Sequence, residues 1–152
     1  MIRMKSVSFE SAVQNITNSV VLLDVDGTLL PDGSHELDED TMVHAKILTS
    51  KNKVYLVSNG TDSPRVERLA VSIGAAVAPK GVPAGKPSVH AMEGITLEGK
   101  SSVVMGDKYL TDGVFAQRTG SRFVLIERKQ SGKERFSVRL SYWVDRVVSW
   151  VL

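Results

Sequence analysis

The sequence predicts an α/β domain with three layers, built on a mainly parallel, doubly wound sheet of about five strands. Three observations carry that expectation. Short apolar runs alternate with helix-like stretches along the whole chain. Two of the runs, VVLLDVD from Val20 and SVVMGD from Ser102, are continuously apolar, which marks strands covered by helices on both faces. Finally, several runs end in polar groups, at the edge where doubly wound sheets bind their ligands.

Taken in order, a first helix over Phe9 to Ile16 precedes a strand over Val20 to Asp26. A helix over Asp38 to Ser50 leads to a strand over Val54 to Ser58. Pro64 to Ile73 reads as the next helix, with Thr61, Asp62 or Ser63 able to cap it and Pro64 suited to its first turn. A short strand over Ala75 to Ala78 follows, then a helix over Ser88 to Glu93. The strand Ser102 to Gly106, the helix Thr111 to Thr119 and the strand Arg122 to Glu127 complete the alternation. Gly74 and Gly120 stand where helices should stop. The last helix, Phe136 to Leu152, aligns Phe136, Leu140, Trp143, Val144, Val147 and Val151 on one stripe. That stripe is expected to pack inward, making both terminal helices packing elements.

With 152 residues the chain fits a single domain over its whole length, 1–152. Apolar residues make up 42% and charged residues 24%, ordinary for a soluble globular protein. The absence of cysteine excludes disulfides, thiolate catalysis and cysteine-ligated zinc, and suits a reducing compartment. A formal charge of +2 points to no polyanionic partner such as nucleic acid. The first residues carry Glu10, Gln14 and Asn15 where a signal peptide needs an apolar stretch, and no run approaches a membrane span. The expected location is the cytoplasm.

The chemistry is expected at the strand ends. Asp24 and Asp26 close the first strand, Ser58 and Asn59 the second, and Asp107 the fourth, while the loop from Ala78 to Ser88 adds Lys80 and Lys86. Clustered carboxylates with a lysine and a hydroxyl suit magnesium-assisted phosphoryl transfer. Mg²⁺ takes hard oxygen ligands, cation and lysine offset phosphoryl charge, and a carboxylate can be the nucleophile. Residues i and i+2 share a side of a strand, so Asp24 and Asp26 are expected to face one crevice. Gly27 permits a sharp turn that would expose backbone N–H groups to an anion. Two such carboxylates repel one another and call for a cation or a shared proton. The plainer reading, an acidic Asp-Gly turn, leaves Asp24 unexplained directly after four apolar residues.

In this arrangement the chain resembles the haloacid dehalogenase (HAD) superfamily, whose first motif is an apolar strand followed by Asp-x-Asp-x-Thr. VYLVSNG is similar to its second motif, GKPS to its lysine motif, and VVMGDKYLTD to its acidic motif, so four matches follow in order over most of the chain. The resemblance implies a Rossmann-like fold and a Mg²⁺-dependent phosphatase. In it Asp24 is the nucleophile that forms a phosphoaspartate, and Asp26 is the general acid and base, positioned by Thr28. Ser58 and Lys86 hold the phosphoryl oxygens, with Asn59 a helper. The metal is held by Asp24, the Asp26 backbone carbonyl and Asp107. Asp112 either reaches the metal through water or orients Lys86; its plainer reading is a helix cap shared with Thr111. Ser58-Asn59-Gly60 has a rival reading as a turn, and Lys80 is the rival of Lys86.

Only Leu29 to Leu37 separate the first strand from its helix, enough for a flap and too short for a cap domain. The chain therefore resembles capless members. Their substrates are bulky, lipid phosphates included, or are small sugar and metabolite phosphates in oligomers whose neighbouring subunit covers the site. A dimer or tetramer is an expectation of the second kind. The GD-x-x-x-TD form is similar to the small phosphatases that include the phosphatidylglycerophosphate phosphatases, although these carry Asn where Gly27 stands. The alternatives are a phosphotransferase of the same mechanism and a non-catalytic binding or assembly domain. His35, His44 and His90 form no metal triad; Arg118, Arg122, Arg128 and Lys129 either flank the mouth of the site or, on the plainer reading, form a solvated face.

Overall fold

The computed structural model describes residues 5–32, 34–58, 63–78, 92, 94–132 and 136–151. Five parallel strands form one sheet in the order β3-β2-β1-β4-β5. They are β1 (Val20–Leu23), β2 (Lys53–Leu56), β3 (Ala76–Val77), β4 (Ser102–Gly106) and β5 (Arg122–Leu125). The chain winds outward from β1 through β2 to β3, then returns to the other side of β1 for β4 and β5. The direction of winding thus reverses between β1 and β4, where such sheets open a crevice at the carboxyl ends of their strands. Register brings Leu23 beside Met105, so the residues that follow β1 and β4 emerge together.

Alternation along each strand divides the core in two. Val21, Leu23, Val54, Leu56, Val103 and Met105 pack with α1 (Phe9–Val13), α2 (Glu39–Lys51) and α3 (Ser63–Ile73). Val20, Leu22 and Val104 point the other way, onto Phe115 and Ala116 of α4 (Val114–Thr119). The continuous apolarity of β1 and β4 follows from this two-sided covering, since β1 is buried at all four positions.

Element ends follow local chemistry. Asp38 lies just outside α2 and caps it, accepting the Thr41 N–H at 2.8 Å, a bond that lowers the Asp38 pKa. Gly74 and Gly120 adopt left-handed φ values of 78° and 67° just past α3 and α4. The first helix stops at Val13, short of Ile16, and the expected helix over Ser88 to Glu93 lies, but for Met92, outside the described residues. The helix expected from Thr111 begins differently. A wide π turn over Tyr109–Gly113 precedes α4. Its first N–H groups, which any helix start leaves unpaired, are taken by one buried carboxylate: Asp145 accepts from Tyr109 at 3.0 Å and Leu110 at 2.7 Å.

Asp145 belongs to α5 (Phe136–Val151), and it corrects the reading of that helix. The stripe expected to pack inward faces solvent: Leu140 is 47% exposed, Trp143 61%, and Val144 and Val147 about as open as each other at 39% and 40%. The buried side carries Tyr142 and Asp145 instead. A carboxylate buried among backbone donors and a guanidinium outweighs apolar patterning here, because leaving those donors without a partner costs more than exposing a few methyl groups. No helix among the described residues is long and apolar enough to cross a membrane.

The orientation of α5 is open to measurement. Tyr142→Ala is expected to lower unfolding free energy by about 3 kcal/mol or more, as for a large buried ring. Val147→Ser on the opposite side is expected to change it by less than about 0.5 kcal/mol in the same denaturant titration.

Candidate metal centre

Asp24 is the first residue past β1, and its N–H bonds the Met105 carbonyl of β4 at 2.9 Å, seating it at the switch point. Asp107 is the first residue past β4. Asp112 comes from the π turn and folds back so that Oδ2 accepts the Lys108 N–H at 3.2 Å. Carboxylate oxygens of Asp24, Asp107 and Asp112 all lie within 4.8 Å of one another. Asp107 and Asp112 are 4% and 1% exposed, and Asp24 is scarcely more open.

Two glycines make this approach possible. A methyl group on Gly27, at φ +82°, would overlap Oδ2 of Asp107, and one on Gly106 would overlap the Asp112 carboxylate. Gly27 therefore serves close packing of carboxylate against backbone. Its expected service to an anion is corrected: the Gly27 N–H bonds the Leu30 carbonyl at 2.7 Å, and the Thr28 N–H bonds that of Val25 at 3.2 Å.

Three buried carboxylates repel and are poorly solvated. Burial, then the nearby charges of Asp24 and Asp112, push the Asp107 carboxyl up to about 8. Its Oδ1 is buried without a donor, while Oδ2 accepts Nε of Arg128 at 2.9 Å. Asp24 stands close enough to share a proton with Asp107. A proton or a cation must sit among these oxygens, and a hard divalent cation suits an all-carboxylate set. The residues present fit such an ion.

Around the trio stand residues that hold it in place. Thr28 is fully buried, and its hydroxyl donates to Oδ2 of Asp24 at 2.9 Å. The expected role of Thr28, positioning Asp26, is thus corrected to positioning Asp24. Asp26 lies outside the trio; its Oδ1 accepts Nη2 of Arg65 at 2.6 Å, while Nη1 of the same arginine donates to the Ser34 carbonyl at 2.6 Å. Asp112 joins the group directly, where an outer position was expected, and it does not cap α4. Ser58, half-buried, follows β2 at the same end of the sheet as Asp24, because the Val57 N–H extends the ladder to the Leu23 carbonyl. Asn59, Lys80 and Lys86 lie outside the described residues, as does His90. His35 is exposed, and His44 is half-buried with Nδ1 2.8 Å from the Asp40 carbonyl.

Four residues that brace the trio and its loops are not singled out as site residues by the sequence alone. Arg128, grouped with a solvated face, is largely buried: it donates to the Asp107 side chain and, at 3.1 Å, to its carbonyl, and stacks 3.7 Å over the Tyr142 ring. Lys129 next to it also belongs to the site, its N–H bonding the Gly27 carbonyl at 2.7 Å. Arg122, by contrast, begins β5 at the far end of the sheet. Arg65 had a signal, since it shares the i, i+4, i+8 row of α3 with the buried Leu69 and Ile73, a position where a charge demands a partner. Asp145 had none beyond being an acid in an amphipathic helix.

In comparisons with known proteins, no family model matches the sequence and no curated protein matches it significantly.

The carboxyl group of Asp107 gives a pH signature. Without a divalent cation the folded chain holds a proton there up to about pH 8, whereas an unfolded aspartate releases it near pH 4. The folded state binds more protons across that window, so this group's stabilising contribution is full below pH 4 and is lost as pH rises to 8. With chelator present, Tm is expected to fall between pH 5 and pH 8. Added Mg²⁺ is expected to raise Tm more at pH 8 than at pH 5, and Asp107→Asn to flatten both trends in calorimetry.

Proposed function

We propose that this chain is a Mg²⁺-dependent phosphohydrolase of the HAD type, cleaving phosphomonoesters through a phosphoaspartate on Asp24. The observation that carries the reading is the Asp24, Asp107 and Asp112 group at the β1–β4 switch point, with Thr28 fixing Asp24. A structural ion pair network would not need three buried acids in mutual contact. A carboxylate that must meet a phosphoryl group, itself anionic, needs a cation beside it.

Asp24, Asp107 and Asp112, with the Asp26 carbonyl that the resemblance adds, would hold the metal, which supplies charge neutralisation and alignment of the phosphoryl group. The carboxylate of Asp24 attacks phosphorus, forming an acyl phosphate as the bond to the leaving oxygen breaks. Asp26 gives that oxygen a proton, then takes one from the water that attacks phosphorus and frees Asp24. Thr28 holds the torsion of the Asp24 carboxylate so that one oxygen faces the substrate. Arg65 does for Asp26 what the resemblance assigned to Thr28: tied to the Ser34 carbonyl, it fixes the carboxylate between the first loop and α3. Ser58 and Lys86 bind the phosphoryl oxygens in this reading, with Asn59 assisting. The segment from Leu29 to Leu37 is too short for a cap, so in this reading a bulky substrate or a neighbouring subunit completes the site. A cysteine-free chain acting on phosphorylated metabolites suits the reducing cytoplasm, the location this reading proposes.

Purified protein with Mg²⁺ is expected to hydrolyse an aryl phosphate, with activity lost on chelation and restored by Mg²⁺. Asp24→Asn is expected to reduce turnover to the background rate while far-ultraviolet circular dichroism and Tm stay those of a folded chain. Undiminished hydrolysis by that variant would overturn the mechanism.

A further inference from the structure

A pocket of about 220 Å³ is lined by Arg128, Gln130, Arg139, Tyr142, Trp143 and Arg146, and Arg128 links it to the carboxylate group. We infer that it is a binding site for an oxyanion, phosphate or carboxylate, carried by the substrate at the end away from the ester that is cleaved. The inference rests on the phosphohydrolase reading for the identity of the molecule, and on the pocket alone for the anion.

The pattern starts in the sequence of α5. Arg139, Trp143 and Arg146 stand at i, i+4 and i+7, on one flank of the helix, so two guanidiniums and an indole share a ridge. Arg128, arriving from beyond β5, closes the pocket from the other side. Like charges brought to one concavity repel, and an anion between them reverses the sign of that interaction. Arg128 is already offset by Asp107 at 2.9 Å and Asp145 at 3.9 Å. Arg139 is held differently: it donates at 2.6 Å to the Gly132 carbonyl, a dipole that aims the side chain without cancelling its charge. Guanidiniums fork onto phosphate and carboxylate, and the 61% exposed face of Trp143 offers a wall for a carbon skeleton.

Size and position identify the occupant as one end of a larger molecule. Pockets enclosing a whole drug-sized ligand run to about 300–1,000 Å³, and this one is smaller. Its wall is shared with the reaction centre. Arg128 presents Nε to Asp107 and lays its guanidinium on Tyr142, which lines the pocket. A substrate with a phosphate ester over Asp24 and a second anion among the arginines would therefore straddle Arg128. The favoured class is a doubly anionic phosphomonoester, a bisphosphate or a phosphorylated acid.

Two matched pairs test this on the full chain with Mg²⁺: fructose 1,6-bisphosphate against fructose 6-phosphate, and 3-phosphoglycerate against glycerol 3-phosphate. In at least one pair the doubly anionic member is expected to show a KM about tenfold lower, and the double variant Arg139→Ala, Arg146→Ala to erase that ratio. A second arm needs no turnover. Fructose 1,6-bisphosphate and inorganic phosphate are each expected to change tryptophan fluorescence saturably, and the change to vanish both in Trp143→Phe and in the double variant. Arginine-dependent binding without hydrolysis of any ester would keep the anion site and overturn the phosphohydrolase reading. Arginine-dependent binding of inorganic phosphate with no KM preference in either pair would overturn the substrate-borne anion. Equal KM within both pairs, with no arginine-dependent fluorescence change, would overturn the site altogether.

Discussion

The close approach of three buried carboxylates is the constraint from which the rest of this site follows. Moving one carboxylate out of water is costly, and placing two more within 4.8 Å of it multiplies the cost. A chain would abandon such an arrangement unless something held the acids in place and something neutralised them. Both are visible. Gly27 and Gly106 lack the Cβ atoms that would overlap the Asp107 and Asp112 carboxylates. The raised Asp107 carboxyl and its donorless Oδ1 mark where a cation would take over from a proton. The fold contributes the meeting point, because only at the β1–β4 reversal do two neighbouring parallel strands send their following loops to opposite sides.

The brace beneath the trio explains an otherwise odd helix. Asp145 ties α5 to the π turn through the N–H groups of Tyr109 and Leu110, and Tyr142 gives Arg128 a surface to lie on. Arg128 in turn grips both the side chain and the carbonyl of Asp107. A helix that would ordinarily be held by its apolar stripe is held instead by a polar face, and the stripe is left outside. Burial of the Tyr142 ring, with the Asp107 charge nearby, pushes its phenol up and keeps it neutral beside the guanidinium.

How much of this was legible in the sequence divides along physical lines. Runs such as Val20–Leu23 and Ser102–Gly106 were legible because two-sided burial leaves continuous apolarity, and the acids after them because such residues at strand ends have no structural excuse. Asp107 was legible beside Asp24 as an acid at the end of another strand, whereas Asp112 came only with the resemblance, which set it outside the metal's ligands. The partners were not legible. Thr28 bonds Asp24 rather than Asp26 because the loop turns back on itself at Gly27, a geometry that period-2 alternation does not foresee. Arg65 meets Asp26 across 39 residues; its place on the buried row of α3 says that it needs a partner without saying which. The orientation of α5 went the other way from its stripe, since a hydrophobic pattern records what can be buried while a buried Asp145 records what must be.

The two halves of the site are also tied to one another, and this bears on how it would work. Lys129, one residue past the arginine that grips Asp107, donates its N–H to the carbonyl of Gly27, within the loop that carries Asp24, Asp26 and Thr28. Lys129 reaches Glu10 of α1 as well, at 3.4 Å, and Arg65 pins the same loop to α3. Asp107 is thus connected through Arg128 and Lys129 to the segment bearing Asp24, the proposed nucleophile. Preorganisation of this kind is what electrostatic catalysis requires, because dipoles and charges already in place need not be rearranged as the transition state forms. In the proposed reading, neutralising the trio and aligning Asp24 are then coupled through these bonds, and an anion bound against Arg128 would bear on both.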